Sequence, residues 1–294
     1  MDNEVIKNFW ENNPCGQLFV CSNEKEIKNF RDFFLQYDKF RYSTEGHILA
    51  NLDRIDFKNK KVLEIGIGQA ADSACIIDRG AEYYGMDVTE ESCKRAVLRF
   101  NIFRKPYKIV VCGAAQAIPF ADNYFDIIYT HGVLHHIPDI GKVIPQLHRV
   151  LKNDGKLIAM VYAKNSLNYY VSILFLRRIL LVGLWLLDII TKKRFIKNKL
   201  LRKHLENVKQ FGLGRYLSTE CFLSHNTDGP DNPYIRVYTK KDIAKVFNKF
   251  HFYAFRQYFL NERQLPFTKM LPGNLKKYLS SQLGWHLWCY GAKP

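Results

Sequence analysis

The chain lacks the features that mark disulfide-rich, repetitive or unfolded proteins. Its seven cysteines include no CxxC pair, and none lies near a histidine at zinc-ligand spacing, so we interpret them as reduced thiols and expect no metal site. No repeat or low-complexity stretch is present, which excludes solenoids and long linkers. With 47% hydrophobic and 24% charged residues, the composition predicts a packed globular protein.

A secretory signal and an excess of acidic residues are also missing. The first residues contain no basic segment followed by an apolar run, so together with reduced thiols they predict a cytoplasmic protein. Only 28 acidic residues accompany 44 Lys and Arg, which gives a formal charge of +16. This charge indicates an acidic ligand, an anionic membrane surface or nucleic acid, without choosing among them.

Short apolar runs alternate with amphipathic segments in the middle of the chain. This alternation predicts an α/β domain with a doubly wound, mostly parallel sheet. The runs are VLEIG (62–66), YYGMDV (83–88), KIVVC (108–112), FDIIYT (125–130) and KLIAMVY (156–162).

The same pattern divides the 294 residues into four parts of a single domain. We predict an N-terminal helical cap over residues 1–60 and a ligand-binding core over 61–163. A helical insertion or lid follows over 164–224, and residues 225–294 complete the sheet with an antiparallel strand pair.

A glycine turn joins the first predicted strand to a helix in VLEIGIGQAAD. Gly66 and Gly68 permit a tight turn and a close approach of a ligand to the backbone. Asp87 ends the next strand, 19 residues after Gly68, where a carboxylate can accept both hydroxyls of a ribose. The alternative is an ordinary turn followed by an ordinary strand-end acid.

Four ordered segments resemble a known family. VLEIGIGQ, GMDVT, AIPFADNYFDIIYTHGVLHHIPD and LHRVLKNDGKLIAMVY are similar to successive motifs of class I S-adenosylmethionine-dependent methyltransferases, type 11-like, from the small-molecule branch. The resemblance implies a seven-stranded Rossmann-like sheet and S-adenosylmethionine as cofactor. One position departs from the family, because Ala114 stands where an adenine-binding Asp is common. The cofactor-binding residues that the resemblance implies are Glu64, Gly66, Gly68, Met86, Asp87, Val88, Gln116 and Ile118.

Several polar residues are candidates for acceptor chemistry. His131 directly follows the fourth predicted strand, where parallel sheets place ligands, and is our first candidate for a catalytic base or a substrate contact. His225, in the polar HNTDGPDNPY segment, is the second. For each histidine a structural role is the alternative. The candidate substrate contacts, which also fit packing or turn roles, are Tyr42, His135, Asp228, Asn232 and Tyr234.

The predicted insertion contains an apolar run followed by a basic one. Residues 169–190 approach the length of a membrane span, but Arg177, Arg178 and Asp188 would be costly at a bilayer centre, so we do not predict a spanning helix. Arg177, Asp188 and Lys199 lie eleven residues apart and would share one polar stripe of a helix. Residues 169–210 then form either a lid or homodimer contact, or a helix lying peripherally on the inner membrane face.

These observations predict methyl transfer from S-adenosylmethionine to an oxygen or carbon of a small or lipid-linked metabolite. Two alternatives remain: an RNA methyltransferase, and a non-catalytic nucleotide-metabolite-binding or scaffold protein with the same fold. We do not expect a nucleic-acid partner, because no aromatic residues are interleaved with the basic run as stacking platforms.

Overall fold

The computed structural model describes residues 3–16, 29–191, 196–262 and 265–294. Helices α1 (Asn3–Asn12), α2 (Phe30–Thr44) and α3 (His47–Leu52) precede the sheet. Asn29 begins α2 by accepting a hydrogen bond from the Asp32 amide, which satisfies a backbone donor of the first turn.

A seven-stranded sheet forms the centre of the molecule, with strand order β3-β2-β1-β4-β5-β7-β6. Strands β1 to β5 pair in parallel, whereas β7 runs antiparallel to both β5 and β6. The predicted fold class is therefore confirmed. The strands are β1 (Lys61–Ile65), β2 (Glu82–Asp87), β3 (Ile109–Cys112), β4 (Phe125–His131), β5 (Leu151–Tyr162), β6 (His251–Tyr258) and β7 (His286–Ala292).

Helices cover both faces of the sheet because neighbouring residues of each buried strand point to opposite sides. In β1, Val62 packs into one hydrophobic cluster and Leu63 into the other. Ile127 and Ile128 of β4 divide in the same way. The covering helices are α4 (Ala71–Asp78), α5 (Glu90–Phe103) and α6 (Ile140–Val150), with a 3₁₀ turn at Leu134–His136 before α6.

The segment after β5 is helical and has a small core of its own, which includes Tyr216, Phe222 and Trp285. None of the helices in the described ranges is long and apolar enough to cross a bilayer. The segment comprises a π-helix (Asn168–Leu176), α7 (Arg177–Thr191), α8 (Lys199–Phe211), α9 (Leu213–Tyr216) and α10 (Thr219–His225).

One feature predicted for this segment is wrong. Lys199 begins the separate helix α8, so it does not continue a polar stripe from α7. Arg177 and Asp188 do face the protein: Arg177 donates to the Asn226 carbonyl, and Asp188 accepts from Lys209.

The last part of the chain completes the sheet. Helix α11 (Lys240–Val246) begins at a capping box between Thr239 and Asp242. After β6 come a 3₁₀ helix (Pro266–Met270) and α12 (Gly273–Leu283), and then β7 inserts between β5 and β6.

Candidate active site

A cavity of about 170 Å³ lies at the carboxyl ends of β1, β2 and β4. The turn after β1 forms one wall, and its two glycines have positive φ angles of 81° at Gly66 and 54° at Gly68. A Cβ atom on Gly66 would lie 2.0 Å from Cγ2 of Val133, so no larger residue fits there. The backbone at Gly68 borders the cavity and has space beside it, as a ligand-cradling turn requires.

Asp87 ends β2 beside this turn. Its carboxylate accepts hydrogen bonds from the Gly68 amide (3.1 Å), the Thr89 amide (3.0 Å) and the Thr89 hydroxyl (2.8 Å). Burial raises its pKa above the usual value, and these hydrogen bonds oppose the shift. The carboxylate is therefore held in a fixed orientation at the cavity wall.

Glu64 lies below the glycine turn and is buried. Its carboxyl group accepts from the Ser73 hydroxyl (2.5 Å) and the Tyr83 hydroxyl (2.6 Å), which ties β1 to α4 and β2. Burial raises the pKa of Glu64 to about 8. These contacts orient the turn, and Glu64 also borders the cavity.

The opposite side of the cavity is mostly apolar. Met86, Val88 and the backbone around Ala114 line it, and Gln116 reaches it while donating to Asn3. Ile118 was predicted to contact the cofactor, but it does not line this cavity. Its side chain packs in the hydrophobic core under the sheet edge, because the chain turns inward at this point.

Residues from the start of the chain close over the cavity. Asn3, Ile6 and Trp10 of α1, together with Cys15, contribute to its lining. Glu11 fixes α1 in place by accepting hydrogen bonds from the first two backbone amides of α5, both at 3.0 Å. The sequence analysis did not assign these residues to the site, because residues 13–60 separate α1 from β1.

An arginine–aspartate pair joins the N-terminal helices to the sheet. Arg41 of α2 donates two hydrogen bonds to Asp72 of α4, at 3.0 and 2.7 Å. Burial alone would raise the pKa of Asp72, but the Arg41 guanidinium lowers it well below its usual range. Tyr42 and Tyr129 also donate to Asp72, so the predicted substrate contact Tyr42 instead belongs to this buried network. Tyr42 does not line the cavity.

His131 lies at the end of β4 and lines the cavity, as its sequence position suggested. The Arg41 guanidinium lies 3.2 Å from its Nδ1 atom. Because arginine can only donate, Nδ1 must accept, and the proton of the neutral ring is on Nε2. Burial, followed by the charge of Arg41, lowers the pKa of His131 to about 3. His131 therefore fits a hydrogen-bond donor better than the predicted base.

Ring nitrogens of His47, His131 and His286 lie within 4.8 Å of one another. A metal bound at Nε2 of His131 would place the ring proton on Nδ1, directly against the Arg41 donor. Nδ1 is already occupied by that donor. His47 and His286 share a hydrogen bond of 3.1 Å. This arrangement fits a hydrogen-bonded cluster and not a metal centre.

A second, polar cavity of about 190 Å³ lies beside the first, and we call it the acceptor chamber. Asp228 lies at its wall and accepts from the Tyr162 hydroxyl at 3.1 and 3.2 Å. The Asn168 Oδ1 atom is buried without a partner among the described residues. The chamber is lined by Glu45, Tyr162, Asn168, Arg177, Asn226, Thr227, Asp228, Phe259, Trp285 and His286.

Two residue pairs join the walls of the chamber and the cavity. His136 lines the cavity and places Nε2 3.4 Å from the Asp228 carboxylate. Arg41 lines the cavity and places Nη1 3.8 Å from the Glu45 carboxylate. Burial raises the pKa of Glu45 to about 7, although Arg41 opposes the shift. Glu45 can therefore exchange a proton near neutral pH.

Several predicted site residues lie outside both cavities. His225 donates to the Pro230 carbonyl and stacks on Tyr216 inside the helical segment. The second predicted base therefore lines neither cavity. His135 is fully buried against Tyr162. Asn232 holds its own loop through Thr227, and Tyr234 supplies only a backbone carbonyl to His136.

Comparison with known families identifies the core of the chain. Residues 63–159 match the family model described as a methyltransferase domain. This part of the chain is a class I methyltransferase domain. The match confirms the predicted family and, with it, S-adenosylmethionine as the methyl donor. The motifs quoted from the sequence coincide with the matched residues.

Curated relatives share mainly this domain. An uncharacterized protein of Methanocaldococcus jannaschii is 35% identical over 154 residues, which cover 49% of this chain and 64% of the relative. The sterol 4-C-methyltransferase of Caenorhabditis elegans is 31% identical, over 42% of this chain and 37% of that protein. The ubiquinone/menaquinone biosynthesis C-methyltransferase of Rickettsia felis is 33% identical, over 29% and 34%. The chain thus spans less than two thirds of the length of these relatives.

Solved structures show the same fold. An S-adenosylmethionine-dependent methyltransferase from Mesorhizobium loti superimposes with a TM-score of 0.51 at 12% identity. The superposition covers 85% of this chain and 97% of that one. Since the identity is low, the likeness concerns the fold alone.

Proposed function

We propose that the protein transfers a methyl group from S-adenosylmethionine to an oxygen or carbon of a small or lipid-linked metabolite. The observation that carries this proposal is the acceptor chamber, which adjoins the cavity of the methyltransferase domain. The polar lining of the chamber suits a polar group of an acceptor. Relatives of the chain include enzymes named as a sterol 4-C-methyltransferase and a ubiquinone/menaquinone biosynthesis C-methyltransferase.

The residues of the first cavity, at the carboxyl ends of β1, β2 and β4, fit the cofactor. The glycine turn leaves backbone free beside Gly68, and Asp87 presents a fixed carboxylate to a ribose. Met86 and Val88 offer apolar contacts to a flat base. The bound cofactor supplies an electrophilic methyl group, whose bond to sulfur breaks as the bond to the acceptor forms.

Glu45 is the group best placed to receive the proton that an oxygen or carbon acceptor loses. It lies in the chamber wall near the cavity and exchanges a proton near neutral pH. His131 lines the cavity and carries its ring proton on Nε2, so it can donate a hydrogen bond there. Positioning and exclusion of water then supply much of the remaining rate acceleration.

The acceptor class can be tested by incubating the purified protein and methyl-labelled S-adenosylmethionine with an extract of its source cells. We expect label in the lipid or the soluble small-molecule fraction, and less label with Glu45→Gln. Label confined to RNA would contradict the proposal, and so would cofactor binding without label in any fraction.

A further inference from the structure

The outward side of α7, together with the end of the π-helix before it, is apolar. From Phe175 to Ile190, every exposed position carries an aliphatic or aromatic side chain or glycine. Leu180 is 58% exposed and Ile190 is 78% exposed. We call this surface the apolar face; it comprises Phe175, Leu176, Ile179, Leu180, Gly183, Leu186, Leu187, Ile189 and Ile190.

The charged residues of the same helix point away from the apolar face. Arg177 donates to Ser172 and to the Asn226 carbonyl, and Arg178 donates to Thr219. Asp188 is buried and paired with Lys209. The cost of charge in an apolar medium therefore does not apply to the exposed side of this helix.

Cations lie on the neighbouring helix. Lys197, Lys199 and Arg202 are exposed, and in the described ranges no carboxylate lies within 4.0 Å of them. Helix α8, which begins at Lys199, packs against α7. Arg202 donates a hydrogen bond to the Ile196 carbonyl, which leaves its charge without an anionic partner among the described residues. An apolar helix face next to cations of this kind is the pattern of a helix that lies in a membrane interface.

We propose that the apolar face, together with Lys197, Lys199 and Arg202, docks on the anionic surface of a lipid bilayer. We assign the face to a bilayer and not to a second copy of the chain, because the neighbouring cations are complementary to anionic head groups. The helix would lie in the interface and not cross it. This proposal does not depend on the methyl-transfer proposal.

Docking would also place the acceptor chamber at the membrane. Asn168 and Arg177, which line the chamber, belong to the same continuous helical segment as the apolar face. A lipid-linked acceptor would then reach the chamber without leaving the bilayer surface.

Flotation with vesicles tests the docking directly. We expect the protein to bind vesicles of equimolar phosphatidylcholine and phosphatidylglycerol, and to bind phosphatidylcholine alone much more weakly. Replacing Leu180 and Ile190 by Glu should weaken binding by more than about tenfold. Each of Lys197→Ala, Lys199→Ala and Arg202→Ala should weaken it about fivefold at low salt.

The matched control is Leu35→Glu, which changes a half-exposed leucine on the distant helix α2 and should leave vesicle binding unchanged. Circular dichroism and S-adenosylmethionine binding check that the variants fold. Equal binding of anionic and neutral vesicles would overturn the proposal. A dimer in sedimentation velocity that the Leu180→Glu, Ile190→Glu variant dissociates would assign the face to a second copy instead.

Discussion

At the scale of single residues, our proposal assigns the acid–base chemistry to Glu45 and not to a histidine. His131 lies at the cavity, but the guanidinium beside it leaves the ring neutral, with its proton on Nε2. Glu45 lies directly after α2, and burial raises its pKa to about 7. A carboxyl group with this pKa is suited to accept a proton under physiological conditions.

Glu45→Gln should lower kcat by about 100-fold or more while cofactor affinity stays within about twofold, because the amide cannot accept the proton. In the unmodified protein, kcat should rise with pH through about 7, since the base works only after it has lost its own proton. Steady-state kinetics across pH measures both effects.

Glu220→Gln, an exposed change on α10, is the control and should leave kcat and its pH profile unaltered. If Glu45→Gln retains the rise of kcat near pH 7, another group is the base.

Asp87 should contribute most to cofactor affinity. Asp87→Ala removes the carboxylate at the end of β2 and also leaves the Gly68 amide without its acceptor. We expect a loss of affinity for S-adenosylmethionine of about 100-fold, from the loss of charge-assisted hydrogen bonds. Calorimetry measures this loss, with the exposed Asp122→Ala as control. Unchanged affinity for Asp87→Ala would remove this residue from the site.

At the scale of elements, α1 acts as a cover that the Glu11 side chain ties to α5. Glu11 caps the N-terminus of α5, where backbone amides and the helix dipole favour a carboxylate. Trp10 packs edge-on against His136 at a ring distance of 4.9 Å. The cover therefore connects the cofactor cavity to the pair that borders the acceptor chamber.

Glu11→Ala should loosen this cover without unfolding the sheet. We expect S-adenosylmethionine to bind about fivefold more weakly, which corresponds to the loss of one helix cap. Fluorescence titration and hydrogen exchange over α1 measure the change. Glu220→Ala, at the first turn of α10, provides a matched control. Unaltered exchange in α1 would show that Glu11 does not hold the cover.

At the scale of the whole molecule, cofactor binding should be linked to folding stability. The cavity is built from α1, α2, three strands of the sheet and the turns after them, so it exists only when these parts are assembled. S-adenosylhomocysteine at about 100 times its Kd should raise Tm by about 4 °C.

Differential scanning calorimetry tests this linkage, and at the same ligand concentration Asp87→Ala should reduce the rise in Tm to less than about 1 °C. An undiminished rise in Asp87→Ala would mean that the ligand binds elsewhere.

The division of the chain into cap, core, insertion and C-terminal part stays a prediction, and so does the cytoplasmic location.

Local patterns in the sequence predicted much of the fold. The apolar runs and their spacing predicted the parallel strands, because burial on both faces requires nearly continuous apolar residues. The glycine turn and Asp87 could also be predicted, since both lie within one strand–helix–strand unit, from β1 to the end of β2. Most predicted cofactor contacts border the cavity, and the exception, Ile118, turns into the core.

Long-range contacts could not be predicted in this way. Arg41 and Asp72 are 31 residues apart, and Glu11 and Glu90 are 79 apart, so no local pattern joins them. His225 looked suitable beside Asp228, yet only Asp228 reaches the chamber, because the end of α10 turns the histidine into the helical segment. The sequence by itself thus determined the strands, the glycine turn and the cofactor class, which depend on neighbouring residues. Only the tertiary structure decided which groups share the acceptor chamber and which apolar residues stay exposed, because packing between distant segments sets both.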